Sequence, residues 1–320
     1  MYYLPQVKIK AMAELSRRRR EAENSYLKLR RKALAQIPEL VELENTIASA
    51  CSDICKVIGI GEDAYRVLEE IKRKNLEAQE QARELLAKHG FPSDALRVRY
   101  TCPVCDDTGF AENGQFCECH KYLLKDLEHE RLRENFPLDN FTFENFSLDF
   151  YPQESREEMA GTLETCREYA QCFHKDLPSL LFYGETGLGK THLSGAIINK
   201  VIALGFGVEY GRAPQLFPKM TKERFDNNSR ELTQHALLAC DLCVLDDLGA
   251  EAANSITREL LYNLIDTRLS KSMPTIINTN LTPEELEGCY GRRIASRILY
   301  GGYETFAFLG KDIREQKTEI

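Results

Sequence analysis

The chain of 320 residues is about twice an ordinary domain length, so two bodies with separate cores are expected and a staple-held mini-protein is excluded. With 43% hydrophobic and 29% charged residues, and no apolar run near the ~20 residues that cross a bilayer, the composition excludes an integral membrane protein. The net charge of −8 argues against a bulk electrostatic nucleic-acid binder, yet residues 1–100 hold 19 basic and 15 acidic side chains while the other 220 hold 23 and 35, so the two parts differ in sign.

The N-terminus lacks an apolar leader run and leads into Arg17-Arg18-Arg19-Arg20, which sets the cytoplasm as the expected location. Apolar residues then recur at helical spacing: Leu15, Ala22, Tyr26, Leu29 and Ala33, and after Pro38 Leu40, Leu43, Ile47, Ala50, Ile54 and Val57. Gly59 and Gly61 punctuate, and Leu68, Ile71, Ala78, Ala82 and Leu85 mark a third helix ending near Gly90 and Pro92. A helical hairpin or three-helix bundle is expected over residues 1–95. The stripes serve its own core, a partner, or both. On such a helix the Arg17–Arg20 run reads as a solvated or acidic-partner-facing stripe rather than a nucleic-acid arm.

Eleven cysteines in a long, odd-numbered, unsignalled chain predict reduced thiols. Four cluster: Cys102-Pro103-Val104-Cys105, eleven residues, then Cys117-Glu118-Cys119. Two close pairs around a Gly-containing loop can offer four thiolates tetrahedrally, the pattern of a closed structural zinc site over residues 96–135. His120 or His129 remains an alternative ligand in place of Cys119 or Cys117. Residues 136–160, rich in Phe, Asn and Asp, read as a linker, and residues 161–320 alternate helices with short β-rich runs. These runs, 179–183, 207–210, 242–245, 274–279 and 305–309, predict an α/β fold with a mainly parallel sheet.

The first of these runs enters Gly184-Glu185-Thr186-Gly187-Leu188-Gly189-Lys190-Thr191, a match to G-x-x-x-x-G-K-[ST] before an apolar helix. The glycines let backbone N–H groups converge on phosphates at a helix N-terminus, with Lys190 reaching the β and γ phosphates of ATP and Thr191 ligating Mg2+. A second signal is Leu242-Cys243-Val244-Leu245-Asp246-Asp247, an apolar strand ending in two acids, of which Asp246 suits Mg2+ and Asp247 the attacking water.

These motifs, in order with Asp246-Asp247-Leu248-Gly249, Ile276–Leu281, Gly291–Arg297 and Gly310-Lys311-Asp312-Ile313-Arg314, resemble the AAA+ ATPases of the DnaC/DnaI helicase-loader type. That family also holds IstB-like transposition helpers. The resemblance covers about residues 140–320 and implies Asn280 as sensor 1, Arg297 as an arginine finger given in trans to a neighbour in a homo-oligomer, and Arg314 as sensor 2. Arg293, one turn earlier on the same helical face, is the runner-up finger. Where many AAA+ proteins carry Glu, this chain has the shorter Asp247, from which weak intrinsic ATPase activity is expected. By the same resemblance Arg212–Phe225 faces single-stranded DNA, with Lys219, Lys222 and Arg224 interleaved with Phe217 and Phe225. The expected function is an ATP-dependent loader of a replicative DnaB-type helicase, gripped by the N-terminal helices and zinc module. The alternatives are an IstB-like transposition regulator and a nucleotide-binding adaptor with little turnover.

Overall fold

The computed structural model describes residues 2–57, 64–134, 136–226 and 232–318. They fall into two compact units, one of residues 12–120 and one that joins the chain up to residue 11 with the chain from 121 onward. The expected punctuation at Gly59 and Gly61 lies outside the described residues.

In the first unit α1 (Pro5–Gln36), α2 (Glu39–Val57) and α3 (Ala64–Lys88) follow the three stripes. Pro38 has no N–H for the α1 ladder and disfavours helical backbone at Ile37, so the chain breaks there. Ala33, Ile37, Leu40, Ala82, Leu86 and Ala95 form the core that joins the helices. The stripe on α3 ends at Leu86, with Leu85 at its margin, and the expected stripe residues Ile54 and Leu68 are exposed at 42% and 36%. Arg30 reaches Glu44 with two bonds of 2.8 and 2.6 Å and ties α1 to α2. Arg17, Arg18 and Arg19 pair with Glu14, Glu21 and Glu23 of their own helix, the local pairing of a solvated face, with little net stabilisation.

The second unit is built on five parallel strands in the order β2-β3-β4-β1-β5. These are β1 (Ser179–Gly184), β2 (Val208–Arg212), β3 (Leu242–Leu248), β4 (Thr275–Thr279) and β5 (Tyr303–Phe308). Successive side chains of a strand point to opposite faces, so Leu180 and Phe182 join one core and Leu181 the other. The first core is closed by α4 (Glu118–Arg133), which contributes Leu132, with α5 (Gln153–Gln171) and α6 (Lys190–Ala203); the second by α7 (Ala213–Phe225), α8 (Leu232–Ala239), α9 (Ser255–Ser270), α10 (Pro283–Tyr290) and α11 (Arg292–Tyr300). With both faces covered, the strands need no polar alternation. The fully buried Arg268 of α9 donates to the carbonyls of Leu237, Cys240 and Pro274 and to Thr275 Oγ1, pinning α9 to the end of α8 and the start of β4.

Two segments depart from their expected roles. The chain start belongs with the sheet: Tyr2 N–H donates to Asp241 at 2.7 Å and Tyr3 OH to the Gly205 carbonyl at 2.6 Å. Gly207 is required there, because a Cβ would lie 1.4 Å from the Tyr2 carbonyl oxygen. Residues 136–160, read as a linker, are packed: Phe136, Leu138, Phe143, Phe146 and Tyr151 are buried in the first core. Polar residues between the aromatics suggested solvent exposure, whereas the aromatics bury large areas and decide the outcome. Among the described residues no helix is long and apolar enough to cross a membrane.

Candidate nucleotide site and cysteine cluster

The Gly184–Thr191 loop leaves the C-terminal end of β1, where β4 and β5 flank it, and enters α6 at Lys190. Gly184 has φ of 138° and comes so close to β5 that a Cβ would stand 2.2 Å from the Phe308 carbonyl oxygen. Gly187 meets the segment before α12 (Ile313–Thr318): its carbonyl accepts from Ile313 N–H at 3.1 Å, and a Cβ would overlap Asp312. The loop's open backbone thus lies at a helix N-terminus, the arrangement that favours phosphate. On its other side Tyr151 OH donates to the Leu188 carbonyl at 2.6 Å.

Lys190 Nζ donates to the carbonyls of Gly184 and Glu185 at 2.6 and 2.7 Å and to Asn280 Oδ1 at 2.8 Å. Burial pulls its ammonium down to about 8, against the opposing attraction of Asp246 and Asp247 and with a smaller push from Arg314. Asn280 also approaches Thr186, its Nδ2 lying 3.4 Å from Oγ1. Asp246 is 2% exposed and accepts from Thr191 Oγ1 at 3.0 Å, Asn278 Nδ2 at 2.7 Å and Tyr210 OH at 2.8 Å. Asn278 in turn accepts from Ser194 of α6 at 2.8 Å. One buried carboxylate is therefore fixed by three elements, and its alignment with Thr191 suits a divalent cation.

Asp247 is aimed differently. The β3–β4 register shifts between Leu245 and Leu248, and Asp247 has φ of 54°, so the strand end bulges and turns this side chain away from its neighbour. Arg212 at the end of β2 holds its carboxylate through Nε at 2.9 Å and Nη2 at 2.5 Å. Arg314 is bonded to Asp312, at 3.0 Å from Nε and 2.8 Å from Nη2, beside an open cleft lined by Glu185, Thr186, Asn280, Gly310, Lys311 and Asp312. The structure thus brings Lys190, Thr191, Asp246 and Asn280 to the mouth of the loop as two hydrogen-bonded pairs, Lys190 with Asn280 and Thr191 with Asp246, with Arg314 at the margin. Arg297 has other partners, all in α9 and α11: Asp266 at 2.6 Å, Tyr262 OH at 2.7 Å and the Arg293 carbonyl at 3.1 Å.

The sequence reading missed Asn278 and Tyr210, and it set Arg212 in the DNA-facing stretch, whereas the side chain holds Asp247. A signal existed for the first, since an amide inside the apolar run Ile276-Ile277-Asn278 must find a partner when buried. One DNA-facing candidate is corrected: Phe217 is 1% exposed in the second core and cannot stack on a base. Pro214 and Pro218 stand three and one residues from it, and the helical period turns Ala213, Leu216, Phe217 and Met220 inward. Lys219, Lys222 and Arg224 are exposed, with Arg224 paired to Glu259, and Phe225 is 68% exposed.

In the unit of residues 12–120, the Sγ atoms of Cys102, Cys105, Cys117 and Cys119 all lie within 4.8 Å of one another. Cys102 and Cys117 are 3.7 Å apart, and Cys105 and Cys119 3.4 Å. A tetrahedral centre about 2.3 Å from each sulfur requires S···S separations of about 3.8 Å, so the cage fits one metal ion, and four thiolates suit zinc. The buried Asp107 ties its loop, accepting from Thr101 N–H at 2.8 Å and Cys102 N–H at 2.9 Å. His120 is outside the cage, its ring edge-on to Phe116 at 4.7 Å. His129 faces Asn199 Oδ1 at 3.2 Å.

A family model described as IstB-like ATP binding protein matches residues 132–299. The replicative helicase loader DnaC of Escherichia coli K12 is 29% identical over 164 residues, 51% of this chain and 64% of that protein. The chromosomal replication initiator protein DnaA of Spiroplasma citri is 30% identical over 169 residues, 51% of this chain and 35% of that protein. Among solved structures, the DnaC helicase loader aligns with 54% of this chain and 99% of its own, at 23% identity and a TM-score of 0.48. The chain spans about two-thirds or less of the curated relatives' own length.

Proposed function

The chain belongs to the IstB-like ATP-binding protein family, an AAA+ α/β fold distantly similar in sequence to DnaC and DnaA, and on that premise we propose that it is an ATP-dependent loader. The helical residues 1–95 and a zinc module at 96–135 engage a replicative DnaB-type helicase in the cytoplasm. Residues 136–320, whose aromatic stretch 136–160 packs into the first core, bind and hydrolyse ATP and so control assembly on single-stranded DNA and release. The observation that carries the ATPase reading is the contact set among Lys190, Asn280, Thr191 and Asp246 at the mouth of the phosphate loop. Similarity to a replicative helicase loader supports the partner.

Gly184–Gly189 wraps the phosphates, and Lys190 exchanges the loop carbonyls for β and γ oxygens. Thr191 and Asp246 are the residues that would hold Mg2+, which when bound neutralises charge on the phosphates. Asp247 orients the attacking water once Arg212 releases it, and Asn280 senses the γ-phosphate from beside Thr186. Arg314 acts in the same subunit. Arg297 acts in a neighbour's site, with Arg293 beside it. Two features favour slow turnover by an isolated chain: the short Asp247 side chain and its ion pair with Arg212.

The family's IstB-like description favours a second reading, a transposition regulator; the four-cysteine unit at 12–120 weighs toward the loader. Turnover measured against protein concentration tests the enzyme. Rate per chain should rise with concentration and with added single strands, and Arg297→Ala should remove the rise while leaving ATP binding. Vigorous turnover by dilute chain, indifferent to Arg297→Ala, contradicts the reading.

A further inference from the structure

Arg293 and Arg297 stand one turn apart on α11, and both are organised by one residue of α9. Each guanidinium donates to Tyr262 OH at 2.7 Å. Each also lies over the Tyr262 ring, 4.1 Å from its centroid for Arg293 and 4.5 Å for Arg297. Asp266, one turn along α9, is ion-paired to Arg297 at 2.6 Å. The oxygen of Tyr262 thus has both acceptor sites engaged.

The charges do not balance. Two cations converge on one hydroxyl, and among the described residues the carboxylate ion-paired to them is Asp266. Like charges brought together at exposed positions are unfavourable unless an anion completes the set. Long arginine side chains also lose rotamer freedom when they are used, and stacking on a rigid ring removes that freedom in advance.

We propose that Tyr262 is the positioning residue of the arginine finger: it holds Arg293 and Arg297 as a pair for phosphate oxygens of the nucleotide on a second copy of this chain, with Asp266 as the anion that those oxygens replace. This rests on the trans role of Arg297 given above. It extends that role to both arginines, working together rather than as alternatives. Because the ring sets geometry and does not touch the ground-state nucleotide, its loss falls on kcat and not on KM.

The test mixes two full-length variants, each inactive alone. Lys190→Ala supplies α11 but cannot turn over ATP, and Arg297→Ala supplies a phosphate loop but no finger. Together they should recover turnover at the mixed interface. Adding Tyr262→Ala to the Lys190→Ala chain should cut the recovered kcat about tenfold with KM for ATP within about twofold, while the milder Tyr262→Phe, which keeps the ring, should cost about threefold. The same substitutions in the Arg297→Ala chain should leave the recovered rate unchanged. Should Tyr262→Ala fail to fold, Tyr262→Phe decides by the same comparison of sides. Equal losses on both sides, or none on the Lys190→Ala side, overturn the positioning role and leave the trans finger standing. No recovery in the parent mixture overturns the trans finger and this proposal with it.

Discussion

Burial pushes the carboxyl of Glu209, on β2, up to about 7 against the lowering pull of Arg131, and the charge of Glu128 adds to the rise. Arg131 bridges the two acids, at 2.9 Å to Glu128 and 3.1 Å to Glu209, and donates to the Val208 carbonyl. Between the unfolded value of 4.5 and about 7, the folded chain keeps a proton that the unfolded chain has released. Stability from this group is therefore complete below 4.5 and is lost as pH rises through 7. Glu209→Gln mimics the protonated form, so its stability relative to the parent should improve between pH 5 and 8 by on the order of 1 to 3 kcal/mol. Urea unfolding at the two pH values measures it, and a constant difference would contradict the assignment. The residues found from sequence and those missed differ by how contact arises. Lys190 and Thr191 are contiguous in a motif, whereas Arg212 and Asp246 are register partners of two strands 34 residues apart in sequence. Tyr210 reaches Asp246 from that same β2, a neighbour that only strand order reveals.

At the scale of elements, the four-cysteine loop was legible because its ligands lie within eighteen residues and its spacing constrains the cage. Asp107 was not, since nothing local says that a carboxylate will cap the Thr101 and Cys102 N–H groups. A bound zinc contributes folding energy, so Cys105→Ser should lower zinc to well under one per chain and destabilise the unit of residues 12–120 by several kcal/mol, on the order expected for a lost structural ligand. Metal analysis with thermal melting reads both effects. Full zinc retention by Cys105→Ser and Cys119→Ser alike would contradict a four-thiolate site. The strands were read to within a few residues because they are short β-rich runs, of which β1, β3 and β4 are largely buried on both faces. Helical phase was less secure: Leu86 replaces Leu85 in the core, since alanines at 78 and 82 leave the stripe's direction weakly defined. The aromatic segment shows the opposite limit. Phe136 stacks on Tyr210 at 4.1 Å and on Phe141 at 4.9 Å, and Phe141 meets His192 edge-on at 5.4 Å, contacts that no periodicity announces.

Over the whole molecule, the net charge of −8 averages parts of opposite sign, a basic N-terminal hundred residues and an acidic remainder. On the proposed function, so acidic a body would meet DNA only through local patches such as Lys219, Lys222 and Arg224, and repetition of that patch in an oligomer would add phosphate contacts. In the proposed oligomer Arg293 and Arg297 would reach a neighbour's nucleotide, so DNA binding and turnover should rise together with assembly. The most direct measurement is the mass in solution of the full chain mixed with a hexameric DnaB-type helicase, with and without ATP, by light scattering after size exclusion. The account predicts a helicase complex whose stoichiometry changes with ATP, and Lys190→Ala should abolish that change. Two separate species under both conditions, the helicase at its own mass and the chain at its own, would contradict it.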